Sequence, residues 1–72
     1  TARYVRARLN DAGAKADLFA PDALVVLHEL TGGVLRSVDV LADATLRVAA
    51  HRKLKVVDRN AVRTAFPLTP LA

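Results

Sequence analysis

Apolar residues recur at the three- and four-residue spacing of an amphipathic helix in several stretches of the chain. In the first stretch, residues 2–12, Thr1 is suited to cap the start of a helix and Gly13 its end. A loop is expected over residues 14–20. The apolar stripe of this first predicted helix consists of Tyr4, Val5, Leu9 and Ala12.

A second helix is predicted to begin at Pro21, because the first helical position does not need the N–H group that proline lacks. Ala20, which precedes it, is a poor helix cap. The glycine pair Gly32 and Gly33 ends this helix. Its predicted buried stripe is Leu24, Leu27 and Leu30.

The third predicted helix is the longest and covers residues 34–53. Asp43 and Arg47 are four residues apart with the acid first, which favours an ion pair on the helix surface. Arg36 and Asp39 are predicted to share that polar face. The opposite, apolar face consists of Leu35, Val38, Leu41, Ala42, Thr45, Val48 and Ala49.

A short extended link is predicted over residues 53–57, with Leu54 and Val56 on one side. Asp58 is a good N-cap for a fourth helix over residues 59–66, and Pro67 ends it. A helix this short must dock on the others, through Val62, Ala65 and Phe66. The sequence therefore predicts an all-α, compact four-helix domain over residues 1–66, followed by a loose tail, residues 67–72.

Composition restricts the functions open to this chain. Its 72 residues allow one domain, and its 53% hydrophobic content is typical of a folded one. It has no cysteine and hence no disulfide or thiolate metal site. It has no apolar run near the ~20 residues that span a membrane, and no signal peptide is evident. Because it begins at Thr1 in a helical pattern, we expect a fragment of a longer cytoplasmic protein.

The net charge of +4 has two interpretations: a solvated surface, which charge alone favours, or contact with phosphate groups. The densest basic run, residues 51–55, contains Arg52, Lys53 and Lys55. These three residues are candidates for contact with a DNA backbone. The alternative is a solvated helix end.

Catalytic patterns are missing from the sequence. It contains no Gly-x-x-x-x-Gly-Lys-Ser/Thr phosphate-binding loop. His28 and His51 fall on different predicted helices without a second ligand nearby, so we expect no metal site. The serine and threonine hydroxyls lack a His or Lys partner at an identifiable spacing. The chain is therefore not expected to be an enzyme by itself.

Gly32 and Gly33 stand directly before a long helix that carries Arg36 in its first turn. Structurally, this is a glycine cap and a tight turn, with Arg36 paired to Asp39. Functionally, a cation at the positive end of a helix dipole is unfavourable unless an anion lies nearby, and the helix start plus Arg36 would suit a phosphate. The residues alone leave both interpretations open.

The residues that resemble the C-terminal helical lid of AAA+ ATPases are Tyr4–Leu9, Phe19–Leu24, Leu27–Arg36, Leu41, Ala42, Ala44, Val56–Asp58 and Val62. More narrowly, they are similar to the bacterial general secretion pathway protein A (ExeA) group, which includes ATPases encoded beside transposases. The resemblance extends from Thr1 to about Phe66. Its most specific part is Gly-Gly-x-x-Arg, residues 32–36. Two positions depart from the group: Leu35, where many relatives have proline, and Ala20, where Ser or Thr is common.

The resemblance implies that Arg36 is the sensor 2 residue, which reaches the terminal phosphates of ATP, and that Gly32 and Gly33 form the turn that directs it. ATP and Mg²⁺ would bind mainly to a core domain of the same chain that this sequence lacks. Neighbouring subunits of an oligomer would be further partners. Alternatives are a basic helical module that binds DNA, and a bundle that docks a partner protein such as a transposase. A role in transposition or in secretion stays open.

Overall fold

A computed structural model describes residues 1–15 and 17–69 of the chain, and the fold is all-helical. The four helices are α1 (Ala2–Asp11), α2 (Pro21–Thr31), α3 (Leu35–His51) and α4 (Arg59–Ala65). A single 3-10 turn, Phe66–Leu68, follows α4. The predicted all-α class is confirmed, and each helix bound lies within two residues of its prediction. The boundary at residue 66 stays a prediction, and residues 70–72 of the predicted tail lie outside the described residues.

The core forms where α4 packs against both α2 and α3. Helix α1 also contacts α2 and α3, but less extensively. The predicted docking of α4 is confirmed, because Val62 and Ala65 are completely buried. Phe66 is partly buried and packs against this core. The largest side chains that are fully buried are Leu27, Leu41, Val38, Val57, Val62 and Thr45.

The predicted apolar stripes of α1 and α3 are buried or partly buried, except for one exposed end residue on each helix. On α1, Val5 and Leu9 are buried but Ala12 is exposed. On α3, Leu41 is completely buried, whereas Leu35 is 54% exposed. Helical periodicity identifies residues that share a face, but it does not show where the neighbouring helices stop covering that face.

Local capping explains where α4 and α1 begin and end. Asp58 caps α4 as predicted, since its Oδ1 accepts a hydrogen bond from the Ala61 N–H at 2.9 Å. Gly13, in the left-handed conformation (φ +78°), ends α1 as predicted. Thr1 makes no side-chain cap. Its hydroxyl is hydrogen-bonded to Nδ1 of His28 instead, which joins the start of α1 to α2.

The link between α3 and α4 is a turn and a bend, and the extended conformation predicted over residues 53–57 is wrong for its first residue. Lys53 adopts the left-handed conformation (φ +57°), which closes α3 through a bond from the Leu54 N–H to the Ala49 carbonyl at 2.9 Å. Val56 is 52% exposed and Leu54 is 36% exposed, so neither residue contributes to the core. Val57 is buried instead, because it pairs with Phe19 in an isolated parallel bridge.

Candidate functional site

The turn between α2 and α3 uses two consecutive residues in the left-handed conformation. Gly32 (φ +64°) is the C-cap of α2, as predicted, and Gly33 (φ +77°) follows it. The buried Thr31 hydroxyl donates to the Leu27 carbonyl at 2.8 Å and accepts from the Gly33 N–H at 3.3 Å. A residue with a Cβ atom is strained in this conformation, so the two glycines allow the abrupt start of α3.

The two glycines differ in their surroundings. A Cβ atom on Gly32 would enter open space, whereas one on Gly33 would lie 2.9 Å from Cε1 of His28. The His28 ring therefore lies directly against the turn, held there by its hydrogen bond with Thr1. This contact of His28 was not predicted, since the residue was considered only as a possible metal ligand. The sequence carries no signal for the His28–Gly33 contact, because Gly33 has no side chain whose character could indicate packing.

Arg36 lies in the first turn of α3 and is exposed to solvent. Among residues 1–15 and 17–69, no carboxylate oxygen lies within 4.0 Å of its guanidinium nitrogens. The Arg36–Asp39 ion pair, which was expected if the Gly32–Gly33 turn is purely structural, is therefore not formed among these residues. Val34 and Leu35, which precede Arg36, are 57% and 54% exposed. The start of α3 thus presents a cation beside two uncovered apolar side chains.

The first turn of α3 also lacks local compensation for its positive end. Val34 is the N-cap and makes no side-chain hydrogen bond to the helix, and the first turn contains no acidic residue. Free backbone N–H groups and the helix dipole both favour a negative group at such a position. An anion at this end of α3 would also interact favourably with Arg36.

Asp39, one turn after Arg36, is the point where α1 contacts α3 through polar groups. The Tyr4 hydroxyl donates to the two carboxylate oxygens of Asp39, at 2.8 and 2.9 Å. Nε of Arg8 lies 3.7 Å from the same carboxylate. The hydrogen bond to Asp39 raises the pKa of the Tyr4 phenol, burial and the Asp39 charge raise it further, and Arg8 lowers it. Tyr4 was predicted to lie on the apolar stripe of α1, and its contact with Asp39 was not predicted.

The basic candidates Arg52, Lys53 and Lys55 follow the opposite end of α3 and are all exposed. Within the described part of the chain, none has a carboxylate within 4.0 Å, whereas three other arginines do. Those pairs are Arg8–Asp39, Arg47–Asp43 and Arg59–Asp22. At a rise of about 1.5 Å per residue, Arg36 and Arg52 are separated by about 24 Å along the helix axis. One phosphate group cannot contact both, so the chain has two separate candidate surfaces.

Residues 1–15 and 17–69 contain no group of three His, Cys, Asp or Glu side chains that could hold a metal ion. Within the same residues, no helix has the length and apolar character required to cross a membrane.

Comparison with known proteins gives one partial relationship. General secretion pathway protein A of Aeromonas hydrophila is 43% identical to this chain over 49 residues, which are 68% of the chain. The chain spans only 9% of the length of that protein. No family model matches the chain, and no solved structure matches it either. The comparison supports a relation to general secretion pathway protein A.

Proposed function

We propose that this chain is the helical lid of an AAA+ ATPase related to general secretion pathway protein A. The lid closes over ATP held by a core domain of the same protein, and Arg36 supplies the sensor 2 contact to the terminal phosphates. The chain alone is not an enzyme in this proposal, and the parent protein is a cytoplasmic ATPase. Transposition and secretion are both compatible with it.

The exposed Arg36 at the uncapped start of α3 is the observation that carries this proposal. The Gly32–Gly33 turn places the guanidinium on the outside of the bundle. A cation in this position is mildly destabilising for the helix on its own. A triphosphate reverses that effect, because it interacts favourably with the guanidinium and with the N–H groups of the first turn. Val34 and Leu35 would be covered by the core domain when the lid closes.

The mechanism requires a difference in contact before and after hydrolysis. The core domain binds ATP and Mg²⁺ and supplies the groups that activate water. Arg36 stabilises negative charge on the terminal phosphates in the transition state. Loss of the γ-phosphate weakens this contact, so the angle between lid and core depends on the bound nucleotide. Neighbouring subunits would sense that change in angle.

Replacing Arg36 with alanine in the longer protein is expected to lower kcat/KM for ATP hydrolysis about 10- to 100-fold. Hydrogen bonds to charged groups contribute about 1.5–3 kcal/mol, and each 1.4 kcal/mol corresponds to a factor of ten. Arg36→Lys should recover part of the rate, since it retains the charge but not the planar fork. A steady-state assay at varied ATP concentration measures these effects.

The matched control is Arg47→Ala, which removes a second arginine from the same helix. Arg47 is 81% exposed and, among the described residues, its only ion pair is with Asp43 at 2.9 Å, so its removal should leave ATP hydrolysis unchanged. Arg36→Ala should change the unfolding free energy of the 72-residue chain by less than about 0.5 kcal/mol, because the side chain is exposed. Equal hydrolysis by the wild-type and Arg36→Ala proteins would contradict the proposal.

The second candidate function is binding of a DNA backbone through Arg52, Lys53 and Lys55. The specific observation in its favour is that these three cations have no carboxylate partner among the described residues. Docking of a partner protein such as a transposase at this end of α3 is compatible with the same charge.

Binding of a DNA duplex to this chain should then depend steeply on salt. Three phosphate contacts predict that log K falls with log salt concentration with a slope of about −2.7. Changing Arg52, Lys53 and Lys55 to glutamine should remove most of that slope. The control changes Arg3, Arg6 and Lys15, three exposed basic residues elsewhere, and should reduce binding less. Failure to bind at about 50 mM salt would contradict this candidate.

A further inference from the structure

Within residues 1–15 and 17–69, Asp39 is the α3 residue in every polar contact between α1 and α3. The Tyr4 hydroxyl is almost equidistant from its two carboxylate oxygens, at 2.8 and 2.9 Å. Arg8 is more distant, at 3.7 Å, and its side chain is 65% exposed. An ion pair of that kind contributes little. The phenol is therefore the main polar attachment of α1 to this carboxylate.

The position of Asp39 on α3 connects this attachment to Arg36. Residues three apart lie on the same side of a helix, so the carboxylate and the guanidinium leave α3 in similar directions. Val38, between them, is completely buried and fixes how deeply α3 sits in the core. The hydrogen bond from Tyr4 restrains a different movement, the rotation of α3 about its own axis.

We propose that Tyr4 and Asp39 are a positioning pair, which sets the rotation of α3 relative to α1 and so directs Arg36 toward the terminal phosphates of ATP. This inference rests on the proposed function, and it further places the core domain before α1, so that lid movement reaches α3 through α1. Hydrogen bonds to a carboxylate are shorter and stronger than neutral ones, which suits an attachment that must hold its angle. Tyr4 and Asp39 do not touch the nucleotide in this proposal.

The experiment is a double-mutant cycle in the longer protein, read out by kcat for ATP hydrolysis. Tyr4→Phe removes the hydroxyl but keeps the ring, and we expect kcat to fall about tenfold, because small displacements of a contacting group have large effects on rate. In an Arg36→Ala background, Tyr4→Phe should have no further effect, because the residue that it positions is absent.

Two further variants sharpen the cycle. Asp39→Asn keeps an oxygen that accepts from Tyr4, so it should retain more of the rate than Asp39→Ala does. Asp43→Asn is the matched control, since it disrupts the exposed 2.9 Å pair with Arg47 one turn further along α3. It should leave kcat unchanged. If Tyr4→Phe does not fold, the comparison of Asp39→Asn with Asp39→Ala decides the question.

The outcomes separate this inference from the proposed function. If Arg36→Ala slows hydrolysis and Tyr4→Phe does not, the positioning role is wrong and the lid function stands. If Tyr4→Phe slows hydrolysis equally with and without Arg36, its effect is a general structural one and the positioning role is wrong. If Arg36→Ala has no effect, the proposed function itself fails. An effect of Tyr4→Phe that disappears without Arg36 supports the inference.

Discussion

Leu41→Ala is expected to lower the unfolding free energy of the 72-residue chain by about 2–5 kcal/mol, the range for leucine truncations in packed cores. Leu41 is completely buried at the centre of α3. Truncation of the Leu41 side chain leaves a cavity that the surrounding helices can fill only in part. A domain of this size has a total stability of roughly 4–11 kcal/mol. The substitution therefore removes a large share of it.

Urea denaturation followed by circular dichroism at 222 nm measures this loss. The matched control is Leu35→Ala, the same truncation on the same helix, at a position that is 54% exposed. We expect the control to change stability by less than about 0.5 kcal/mol. Equal losses for the two variants would show that α3 packs through a different face from the one described here.

Gly33→Ala is expected to destabilise the chain by about 2–3 kcal/mol. The left-handed conformation of residue 33 (φ +77°) costs a residue with a Cβ atom about 1–2 kcal/mol. The added Cβ also lies 2.9 Å from Cε1 of His28. To make room, the exposed His28 imidazole has to rotate away and give up its hydrogen bond with Thr1. Loss of that bond adds about 1 kcal/mol to the destabilisation.

Gly32→Ala is the control, because Gly32 has a similar conformation (φ +64°) but open space around its Cβ position. Its loss should be limited to about 1–2 kcal/mol. In a His28→Ala background, the cost of Gly33→Ala should fall to the same value, since the ring no longer occupies the space. Thermal and urea unfolding of the wild-type chain, the three single variants and the His28→Ala/Gly33→Ala double variant test this. A Gly33→Ala loss that is unchanged by removal of His28 would contradict the contact.

The candidate site was predictable from the sequence only in part. The position of Arg36 in the first turn of α3 and the glycines before it follow from local pattern. Its exposure, and its lack of a carboxylate partner among the described residues, do not follow from local pattern, since they depend on what Asp39 contacts. Asp39 contacts Tyr4, a residue 35 positions away in the sequence. Helical spacing alone had suggested a pair between Arg36 and Asp39.

Local sequence was enough to predict the four helices of the described residues, with each bound within two residues of its observed position. Pro21, Asp58 and Gly13 act through backbone and capping interactions within a few residues, so their effects can be read from local sequence. The tertiary structure alone decided that Leu41 is buried and Leu35 is not, and that the His28 ring lies against Gly33. It also decided that Val57 pairs with Phe19 in a bridge between distant parts of the chain. These outcomes depend on which helices pack together. Contacts between residues that are distant in the sequence cannot be predicted from the pattern of any one segment.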